Sequence, residues 1–508
     1  MTNAIDTFWR HADNQGERIA LREGDHSWRY AQLRDWIAAY ARKLLAAKVR
    51  PGDRVLLVAP TSAEFVVAYH GLMATGAIAV TVNGMSTQGE LEYFIEDAGC
   101  SLVIGWHESA PVAAAAAKRF AIPFWVLDAD ALAGAAVETG FQPVPVADDD
   151  IAVLLYTSGT TGRPKGAELM HGNLIACSSA FIQALNMSVD DCMGTALPLF
   201  HVFGQAAVMG TAFRSGASLS LLRPFSGEGL LHMAASHGVT ILAGVPTMWN
   251  AMLHADVALT RDDFSKLRLA TSGGATLPFE VAKAFNDRFG CMVMDGYGLS
   301  ETTGAATFNV PGGLRKDASV GPALPGLEVA IVDSDGNAVA PGEVGEVAIK
   351  GPVVMRGYWQ RPDASAEARR GEWFLSGDLG KQDEDGYVWI VDRKKDLVIR
   401  GGYNVYPREI EEALYAHPSI REAAVIGVPD ARLGEEIAAV MVLHPGENLE
   451  AVDLRGWLEE QLSAYKVPRV YQFVDELPRG ATGKILKRAL DRAAVLEHGT
   501  RVKRARTG

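Results

Sequence analysis

The chain alternates apolar, β-branched runs with helical patterns, and this alternation most constrains how it can fold. A strand-like run over 54–60 precedes a helical pattern over 62–74, and the same pair recurs over 77–82 and 88–98. Apolar strands separated by helices are typical of parallel sheets with helices packed on their faces. We therefore expect an α/β fold with parallel-rich sheets. At 508 residues the chain exceeds one hydrophobic core, so several subdomains are expected.

Composition and charge exclude several classes of protein. Hydrophobic residues make up 48% and charged residues 21%, close to an average globular domain, which excludes a disordered or fibrous chain. The net charge of −13 argues against nucleic acid as a partner. The longest uncharged stretch, 65–83, contains His70, Gly71 and Gly76. It predicts a buried helix, turn and strand, and no transmembrane segment.

The cysteines and the first residues bear on the cellular compartment. Cys100, Cys177, Cys192 and Cys291 show no CxxC spacing, so neither a disulfide framework nor a zinc site is predicted. The opening residues, MTNAIDTFWR, show no basic-then-apolar signal region. Both observations favour a reducing, cytoplasmic location.

The charged segment 391–398 lies between an apolar strand and a glycine-rich turn, and it is the best candidate for a domain boundary. We expect a large body over 1–394 and a small, mobile α+β domain over 395–508. The expected elements of the small domain are helices over 407–417, 450–462 and 485–496 and strands over 423–428 and 437–443. Lys487, on the last of these helices, is expected to be a surface lysine.

A buried-strand pattern over 151–156 leads directly into a loop with the sequence TSGTTGRPKG, residues 157–166. Its glycines allow backbone amides to converge on one anion, its four Thr and Ser hydroxyls add donors, and Lys165 adds charge, a composition that suits a polyphosphate. A Walker loop counted from Gly159 would require Gly at 164 and Ser or Thr at 166. Those positions hold Pro164 and Gly166, so an ordinary P-loop NTPase is excluded.

The segment 295–301, DGYGLSE, combines an aromatic ring, two glycines, a hydroxyl and a carboxylate. Tyr297 can stack on a flat base, and Gly296 and Gly298 allow close approach. Ser300 can donate to phosphate, while Glu301 offers the oxygen ligands that a hard cation prefers. These residue types favour a nucleotide site.

The loop 156–166 resembles the signature loop of the adenylate-forming superfamily, which comprises acyl-CoA synthetases, luciferases and nonribosomal-peptide adenylation domains. Further segments match the family in the same order: 295–301, 373–380, 392–396 with 400–404, and 478–484. The pattern is most similar to bacterial fatty acyl-CoA ligases. The resemblance spans nearly the whole chain and implies a large multi-subdomain body with a small C-terminal cap.

The resemblance also implies residue roles. Tyr297 would lie beside adenine, Asp378 would hold the ribose, Arg393 would contact ribose and phosphate, and Lys484 would bridge the substrate carboxylate and the α-phosphate. Glu301 and Thr157 would hold Mg²⁺. The implied ATP contacts are Thr157, Ser158, Gly159, Thr160, Thr161, Gly162, Lys165, Gly273, Gly274, Ala275, Asp295, Gly296, Tyr297, Gly298, Ser300, Glu301, Asp378, Arg393 and Lys484.

Two further roles come from the same resemblance. Lys395 matches the hinge about which the small domain of family members rotates between half-reactions, and its polar surroundings suit backbone rotation. Gly401, Gly402 and Tyr403 would line the passage for the pantetheine arm of coenzyme A, because glycines leave a narrow passage open.

The segment 197–204 resembles the family's acyl-site wall, in which His201 contacts or gates the carboxylate. The expected pocket residues are His201, Val202, Phe203, Gly204, Val245, Gly298, Thr303 and Gly304. The segments 197–204, 244–248 and 298–305 contain no Lys or Arg. Burying a second carboxylate without a cation costs several kcal/mol, which favours an apolar monocarboxylate over malonate unless a residue such as Lys283 enters the pocket.

The function that the sequence favours is an ATP- and Mg²⁺-dependent acyl-CoA ligase. It would activate a medium- or long-chain fatty acid as acyl-AMP and pass the acyl group to coenzyme A, with Lys484, Lys165, Glu301 and His201 as catalytic residues. Three alternatives stay open: a CoA ligase for an aryl acid or a dicarboxylate, an acyl-AMP ligase that does not use coenzyme A, and a binding protein without catalysis. The expected partners are the acid, ATP and coenzyme A, and the chain is expected to be a monomer or homodimer.

Overall fold

The computed structural model describes residues 3–128, 140–157, 163–275, 277–479 and 485–502. The chain divides into two compact units. The first unit comprises Met1–Ala330, Ala348–Leu375 and Asp385–Val388, and the second comprises Ile331–Val347, Ser376–Glu384 and Trp389–Gly508. The domain boundary expected between 394 and 395 stays a prediction, and the units differ from it by including two earlier stretches in the second unit.

Two parallel-rich sheets organise the first unit. One contains β6-β5-β3-β4-β7-β8, and the other contains β14-β13-β12-β11-β9-β10-β1-β2; only the edge pairs β7–β8, β13–β14 and β1–β2 are antiparallel. The strands are β1 (Ile19–Glu23), β2 (His26–Arg29), β3 (Arg54–Val58), β4 (Ile78–Val82), β5 (Leu102–Trp106), β6 (Phe124–Leu127), β7 (Ile151–Thr157), β8 (Lys165–Met170), β9 (Cys192–Thr195), β10 (Ser218–Leu221), β11 (Ile241–Gly244), β12 (Leu269–Ser272), β13 (Val293–Tyr297) and β14 (Thr307–Phe308).

Helices follow most of these strands, as parallel pairing requires. They are α1 (Asp6–Gln15), α2 (Tyr30–Ala46), α3 (Ala63–Ala74), α4 (Gln88–Ala98), α5 (Ala110–Arg119), α6 (His171–Ala184), α7 (Thr211–Ser215), α8 (Gly227–Ser236), α9 (Pro246–Leu253), α10 (Phe279–Phe289) and α11 (Pro362–Glu367). The parallel sheets and interleaved helices confirm the α/β prediction.

Local sequence explains where the helices near the first sheet begin. The Ser62 hydroxyl accepts from the Phe65 N–H to start α3, and Thr87 forms a reciprocal capping box with Glu90 to start α4. The stretch 65–83 contains most of the buried helix α3 and strand β4, as the interrupted apolar pattern predicts. In the part of the chain that the structure describes, no helix has the length and apolar character needed to cross a bilayer.

Two further sheets follow. A five-stranded sheet has the order β15-β16-β18-β17 with β19 on β18, and a six-stranded sheet has the order β21-β20-β23-β24-β25 with β22 on β23. Their strands are β15 (Glu328–Val332), β16 (Gly345–Lys350), β17 (Arg369–Arg370), β18 (Trp373–Gln382), β19 (Val388–Arg393), β20 (Val398–Arg400), β21 (Tyr403–Val405), β22 (Ile420–Asp430), β23 (Gly434–Leu443), β24 (Val470–Phe473) and β25 (Thr500–Arg501).

The described residues of the second unit form three α-helices: α12 (Pro407–Tyr415), α13 (Ala451–Gln461) and α14 (Arg492–His498). The helices expected over 407–417 and 450–462 are confirmed within two residues at each end. The single helix expected over 485–496 is wrong. A 3₁₀ turn occupies Lys487–Ala489, and α14 begins only at Arg492 because the Asp491 carboxylate accepts from the N–H groups of Ala493 and Ala494 at 2.9 and 3.2 Å.

Candidate active site

Strand β7 ends at Thr157, the first residue of the proposed phosphate loop, and strand β8 begins at Lys165. These two strands pair antiparallel, with Thr157 directly opposite Lys165. The two ends of the loop are therefore adjacent. Ser158, Gly159, Thr160, Thr161 and Gly162 lie outside the described residues, so their predicted contacts with ATP stay predictions.

Glu301 and Tyr358 together connect two of the other predicted residues, Thr157 and Lys165. The Thr157 hydroxyl donates to Glu301 Oε1 at 3.3 Å, and the Tyr358 hydroxyl donates to the same oxygen at 2.9 Å. The Lys165 ammonium lies 5.2 Å from the centre of the Tyr358 ring. Burial and the neighbouring Glu301 carboxylate raise the pKa of Tyr358, which keeps this hydroxyl protonated as a donor.

Tyr358 is a member of this cluster that sequence reasoning missed. It stands 57 residues after Glu301 and outside the matched segments. The one local signal is its place in Gly357-Tyr358-Trp359, where two aromatic residues follow a glycine in a segment without helical period. The adjacent Trp359 N–H donates to the Gly166 carbonyl at 2.8 Å, so this segment supports the end of the loop.

The donor set fits a cation that is shared with a phosphate. Magnesium in nucleotide sites is usually held by one or two protein oxygens together with substrate phosphates and water. Glu301 supplies one carboxylate and Thr157 one hydroxyl at the mouth of the loop. Over the described ranges no group of three or more His, Cys, Asp and Glu residues forms a metal cage. These residues would hold Mg²⁺, which when bound would neutralise phosphate charge.

The predicted nucleotide residues on β12 and β13 come together because these strands are parallel neighbours. Ser272 pairs with Asp295, so Gly273 and Gly274 leave the sheet beside Gly296 and Tyr297. All four of these residues line one pocket, as does Gly298. Ala275 follows Gly274 on the exposed side, and Ser300 and Glu301 begin a 3₁₀ turn just after the pocket.

The glycines of this segment are required by the packing of the chain itself. A Cβ on Gly298 would lie 2.4 Å from the carbonyl of Gly304, and one on Gly296 would lie 2.6 Å from the Phe308 ring. Both distances are well below van der Waals contact. We expected these glycines to leave room for a ligand. The structure shows that their missing side chains leave room for neighbouring atoms of the protein itself.

A second group of predicted residues also lines this pocket. His201, Val202, Phe203 and Gly304 are all lining residues. Val245, Gly204 and Thr303 are not lining residues. Val245 lies next to the lining residue Gly274, since a Cβ on that glycine would meet Val245 at 3.6 Å. Gly204 packs on the Pro198 carbonyl, and the Thr303 hydroxyl donates to Val353 O at 2.7 Å.

The wall of this pocket includes a π-helix over Phe203–Gly210, a rare form that is frequent at functional sites. The wider turn places both Ala207 and Val208 on the pocket, next to Phe203. The sequence did not predict this element. The full lining comprises Phe181, Leu185, Met193, His201, Val202, Phe203, Ala207, Val208, Thr271, Ser272, Gly273, Gly274, Gly296, Tyr297, Gly298, Gly304, Thr307 and Phe308.

Among the described residues, no Asp, Glu, Lys or Arg lines this pocket. Lys283, the cation that we considered as a partner for a second substrate carboxylate, lies instead on the exposed face of α10. Its ammonium bonds the Asp287 carboxylate at 3.0 Å, one helical turn away. The pocket therefore offers apolar surface and a few hydroxyl, amide and imidazole groups.

The second unit holds the predicted ribose residues. Asp378 is buried, and Arg393 Nε lies 3.5 Å from its Oδ1. The neighbouring Gly377 N–H donates to Glu346 at 2.9 Å, and Lys394 bonds the same carboxylate at 2.9 Å. The carboxylate of Asp378 thus lies on strand β18 next to a cation, an arrangement that suits an acceptor for sugar hydroxyls.

The predicted hinge and coenzyme A residues follow directly. Reduced solvation and the positive charge of Arg393 lower the pKa of Lys395. Gly401 and Gly402 form the two-residue turn of the β20–β21 hairpin with φ of 58° and 88°, as a type I′ turn requires. Tyr403 is 63% exposed, and its ring lies 5.2 Å from that of Tyr465. The turn therefore explains why glycine occupies both positions, whether or not coenzyme A binds there.

Lys484 lies outside the described residues, so its role stays a prediction. The expectation for Lys487 was wrong. It does not lie on a solvated helix face; its ammonium forms an ion pair of 2.7 Å with Glu411, and both side chains are largely buried, with 21% and 14% exposure.

Fold and site together define an adenylate-forming enzyme, with a strand that leads into the proposed phosphate loop, an acidic residue beside the start of that loop, and a largely apolar pocket. Two family models match the chain: AMP-binding enzyme over residues 8–359 and AMP-binding enzyme C-terminal domain over 409–484. The chain belongs to the AMP-binding enzyme family, and it is an acid–thiol ligase of the AMP-forming type.

Relatives of known name agree with this assignment. The chain is 37% identical to feruloyl-CoA synthase of an Amycolatopsis species, over 94% of this chain and 96% of the relative. It is 36% identical to a long-chain-fatty-acid–CoA ligase of Bacillus subtilis, over 87% and 86%. Among solved structures, ATP-bound MatB from Rhodopseudomonas palustris superposes with a TM-score of 0.91 at 34% identity, covering 98% of this chain and all of that one.

Proposed function

We propose that this chain joins an apolar monocarboxylic acid, of the medium- or long-chain fatty class, to coenzyme A. The reaction class is AMP-forming acyl-CoA ligation with ATP and coenzyme A as co-substrates. We choose this class of acid because none of the described residues that line the pocket carries an Asp, Glu, Lys or Arg side chain. A second carboxylate buried there would cost several kcal/mol without a cation.

The two chemical steps need no protein nucleophile. A substrate carboxylate oxygen attacks the α-phosphorus of ATP, forming acyl-AMP and releasing pyrophosphate. The thiolate of coenzyme A then attacks the acyl carbon, forming the thioester and releasing AMP. We assign charge stabilisation in the first step to Lys165 and Lys484, cation binding to Glu301 and Thr157, and carboxylate contact to His201.

The other assigned residues are part of the same proposal. Asp378 and Arg393 hold the ribose, Tyr297 stacks on adenine, and Lys395 is the hinge between half-reactions. Their support is the family's motif pattern together with the pairing of Asp378 and Arg393 at 3.5 Å. We also propose a cytoplasmic location, which suits four buried and unpaired cysteines.

An aryl acid is the second candidate for the substrate, because the feruloyl-CoA synthase relative is named for one. The pocket lining is compatible with it, since Phe181, Phe203 and Phe308 offer aromatic surface. Size and shape, and not charge, would then separate aryl from alkyl acids.

A matched panel of acids tests the proposal. The purified chain is mixed with Mg-ATP, coenzyme A and one acid, and AMP and thioester are both measured. We expect decanoate to exceed decanedioate by at least about a hundredfold in kcat/KM, because the acids differ only in the buried carboxylate. Equal rates for the two would overturn the choice of acid. AMP adduct without thioester would overturn coenzyme A as the acceptor, and nucleotide binding without pyrophosphate release would overturn catalysis.

A further inference from the structure

A short segment, residues 356–359, adds an extended stretch to the antiparallel pairing of β7 and β8. It runs antiparallel to β8, with Tyr358 bridged to Ala167. The Trp359 N–H donates to the Gly166 carbonyl at 2.8 Å, as this register requires. Three adjacent stretches of chain therefore form one small ladder beside the proposed cation site.

Side chains alternate between the two faces of such a ladder. One face, which we call the site face, carries Thr157, Lys165 and Tyr358. The hydroxyls of Thr157 and Tyr358 both donate to Glu301 Oε1, at 3.3 and 2.9 Å. The Lys165 ammonium lies 5.2 Å from the centre of the Tyr358 ring. The groups of this ladder that we assign to the cation and the phosphates thus share one side.

The opposite face, which we call the support face, carries Tyr156 and Trp359. They flank Gly166, because a Cβ on this glycine would lie 3.4 Å from the Tyr156 ring and 3.5 Å from Trp359. Helix α4 packs on this face, with its Phe94 ring 4.7 Å from that of Tyr156. Each support residue is the immediate neighbour in the chain of a residue on the site face. A shift of one face therefore also shifts the other.

Asp97, on helix α4, is bonded to the support face at several points. Its Oδ2 accepts the Tyr156 hydroxyl at 2.7 Å, and its backbone carbonyl accepts the Trp359 Nε1–H at 3.1 Å. Its Oδ1 pairs with the Arg361 guanidinium at 2.6 Å. The Arg361 N–H in turn donates to the Tyr358 carbonyl at 3.0 Å, which closes a turn. Asp97 thus joins the end of β7 to the turn that contains Tyr358.

The position of Asp97 is unfavourable for the helix itself. The residue lies in the last turn of α4, where the partial negative charge of the helix C-terminus disfavours an anion. Its side chain is only 8% exposed, so the carboxylate has also lost most of its contact with water. The bonds from Arg361 and Tyr156 offset these costs. The contacts of this carboxylate are therefore tertiary, and they converge on the support face.

We propose that Asp97 is a positioning residue for the cation site. From the support face it fixes the two hydroxyls, those of Thr157 and Tyr358, that orient the Glu301 carboxylate. It acts through the neighbours of these residues and not by contact with ATP. This inference rests on the proposed role of Glu301 and Thr157 in holding Mg²⁺. Loss of an outer partner of a metal ligand typically weakens metal binding about tenfold to a hundredfold.

The test measures ATP binding to the whole chain by calorimetry, without acid or coenzyme A, in excess Mg²⁺ and in EDTA. In Asp97→Ala we expect the affinity for Mg-ATP to fall by at least about fivefold, while the affinity for ATP in EDTA stays within about twofold of the parent. kcat/KM for Mg-ATP in pyrophosphate release should fall in parallel. A merely structural role would lower the fraction of competent protein and leave the ratio of the two affinities unchanged.

Two milder variants keep the test decisive if Asp97→Ala does not fold. Tyr156→Phe removes only the hydroxyl that Asp97 accepts and keeps the ring packed on α4. Arg361→Gln removes only the cation of the pair. Each should lower the Mg-ATP affinity selectively, by less than Asp97→Ala does. Asp97→Asn should recover part of the loss, because its amide oxygen can still accept from Tyr156.

A double mutant examines the route of the effect. If Asp97 acts through the hydroxyls on Glu301, the combined loss in Asp97→Ala with Tyr358→Phe should be smaller than the product of the two single losses. Independent routes would give the full product.

The matched control is Asp191→Ala. The Asp191 side chain is 7% exposed, pairs with Arg268 at 2.9 Å and accepts the Thr240 hydroxyl at 2.6 Å, so its bonds resemble those of Asp97. It directly precedes β9, at the amino ends of the parallel strands, whereas the predicted nucleotide residue Gly273 follows the carboxyl end of β12. Asp191→Ala should lower stability in urea and leave the ratio of Mg-ATP to ATP affinity unchanged.

The outcomes also separate this inference from the proposed function. A parent chain that forms no acyl-AMP with any acid overturns the proposed function, and equal ATP affinity in Mg²⁺ and EDTA overturns its cation site. The positioning role alone is overturned if an active parent keeps its affinity ratio in Asp97→Ala or Tyr156→Phe, if Asp191→Ala shows the same selective loss, or if the double mutant shows the full product.

Discussion

The Tyr358 hydroxyl donates to the Oε1 atom of Glu301 at 2.9 Å, and the Thr157 hydroxyl approaches the same oxygen at 3.3 Å. Glu301 is thereby oriented by a residue that no matched motif contains. Outer partners of this kind set the direction of a carboxylate toward a cation, and their loss typically weakens the site about tenfold to a hundredfold.

Tyr358→Phe removes only this hydroxyl. We expect the Mg²⁺ concentration for half-maximal activity to rise and kcat/KM for ATP to fall by about tenfold, since Glu301 loses a fixed orientation. Magnesium titrations of pyrophosphate release measure both. Tyr415→Phe, which removes a long hydrogen bond of 3.4 Å to Ala423 in the second unit, is the matched control. Unchanged magnesium dependence would contradict a role for Tyr358.

Gly298→Ala should damage the pocket, because the added methyl would lie 2.4 Å from the Gly304 carbonyl. We expect a loss of about 1–3 kcal/mol in the free energy of unfolding together with reduced acyl-AMP formation. Gly456→Ala is the opposite case: it lies on the exposed face of α13, with no atom within 4 Å of the added methyl. That change should stabilise by about 0.5–1 kcal/mol, as urea unfolding would show.

Ala207→Phe should shift the acid preference toward smaller substrates. Ala207 is 3% exposed and lines the pocket from the π-helix, so a ring there would occupy the space that we propose for the acyl group. We expect kcat/KM for the longest accepted acid to fall by at least about tenfold while a short acid is affected less. Val112→Phe, on the 39% exposed position of α5, should change neither. Parallel losses for all acids would argue against an acyl site here.

Lys395→Pro tests the proposed hinge by restricting backbone rotation. We expect thioester formation to fall more than acyl-AMP formation, because the proposed rotation would follow the first half-reaction. Lys395→Ala, which removes the charge and keeps the rotation, should retain thioester formation within about threefold of the parent. If the proline and alanine variants behave alike in coenzyme A kinetics, the hinge assignment is wrong.

His70 predicts a pH dependence of stability. Its ring packs against Phe8, Tyr69 and Phe213, and its Nδ1 bonds the Val66 carbonyl at 2.8 Å. Burial lowers the pKa of His70 to about 4. The unfolded chain therefore binds the proton more tightly, and the stability from this group falls as pH drops from about 6.5 toward 4.

The measurement compares the parent with His70→Leu in urea at pH 7 and pH 5. Between these pH values the parent should lose about 2 kcal/mol more than the variant, because only the parent must keep a neutral imidazole. Equal losses in the two proteins would show that His70 gains no proton on unfolding in this range.

Much of the fold could be predicted because its signals are local. The capped helices α3 and α4, the strand β7 and the glycine-rich segments follow from residue periodicity and turn chemistry within short windows. The bounds of α14 could not be predicted from periodicity. The apolar pattern begins before Asp491, but the Asp491 side chain caps the helix and so sets its first residue at Arg492. The partners of Glu301 could not be predicted either, since Tyr358 reaches it across 57 residues.

The sequence by itself determined the α/β class, the order of the motifs and the residue types offered to ATP, because strand and helix periods and glycine-rich turns are properties of neighbouring residues. Only the tertiary structure decided that a Cβ on Gly298 would collide with the Gly304 backbone, that Lys487 is paired with a largely buried Glu411, and that the proposed acyl pocket has an uncharged lining in the described residues. The ion pair and the pocket lining bring together residues far apart in the chain, and the Gly298 contact depends on how the chain folds back between β13 and β14. These distances and the desolvation exist only after the elements have packed.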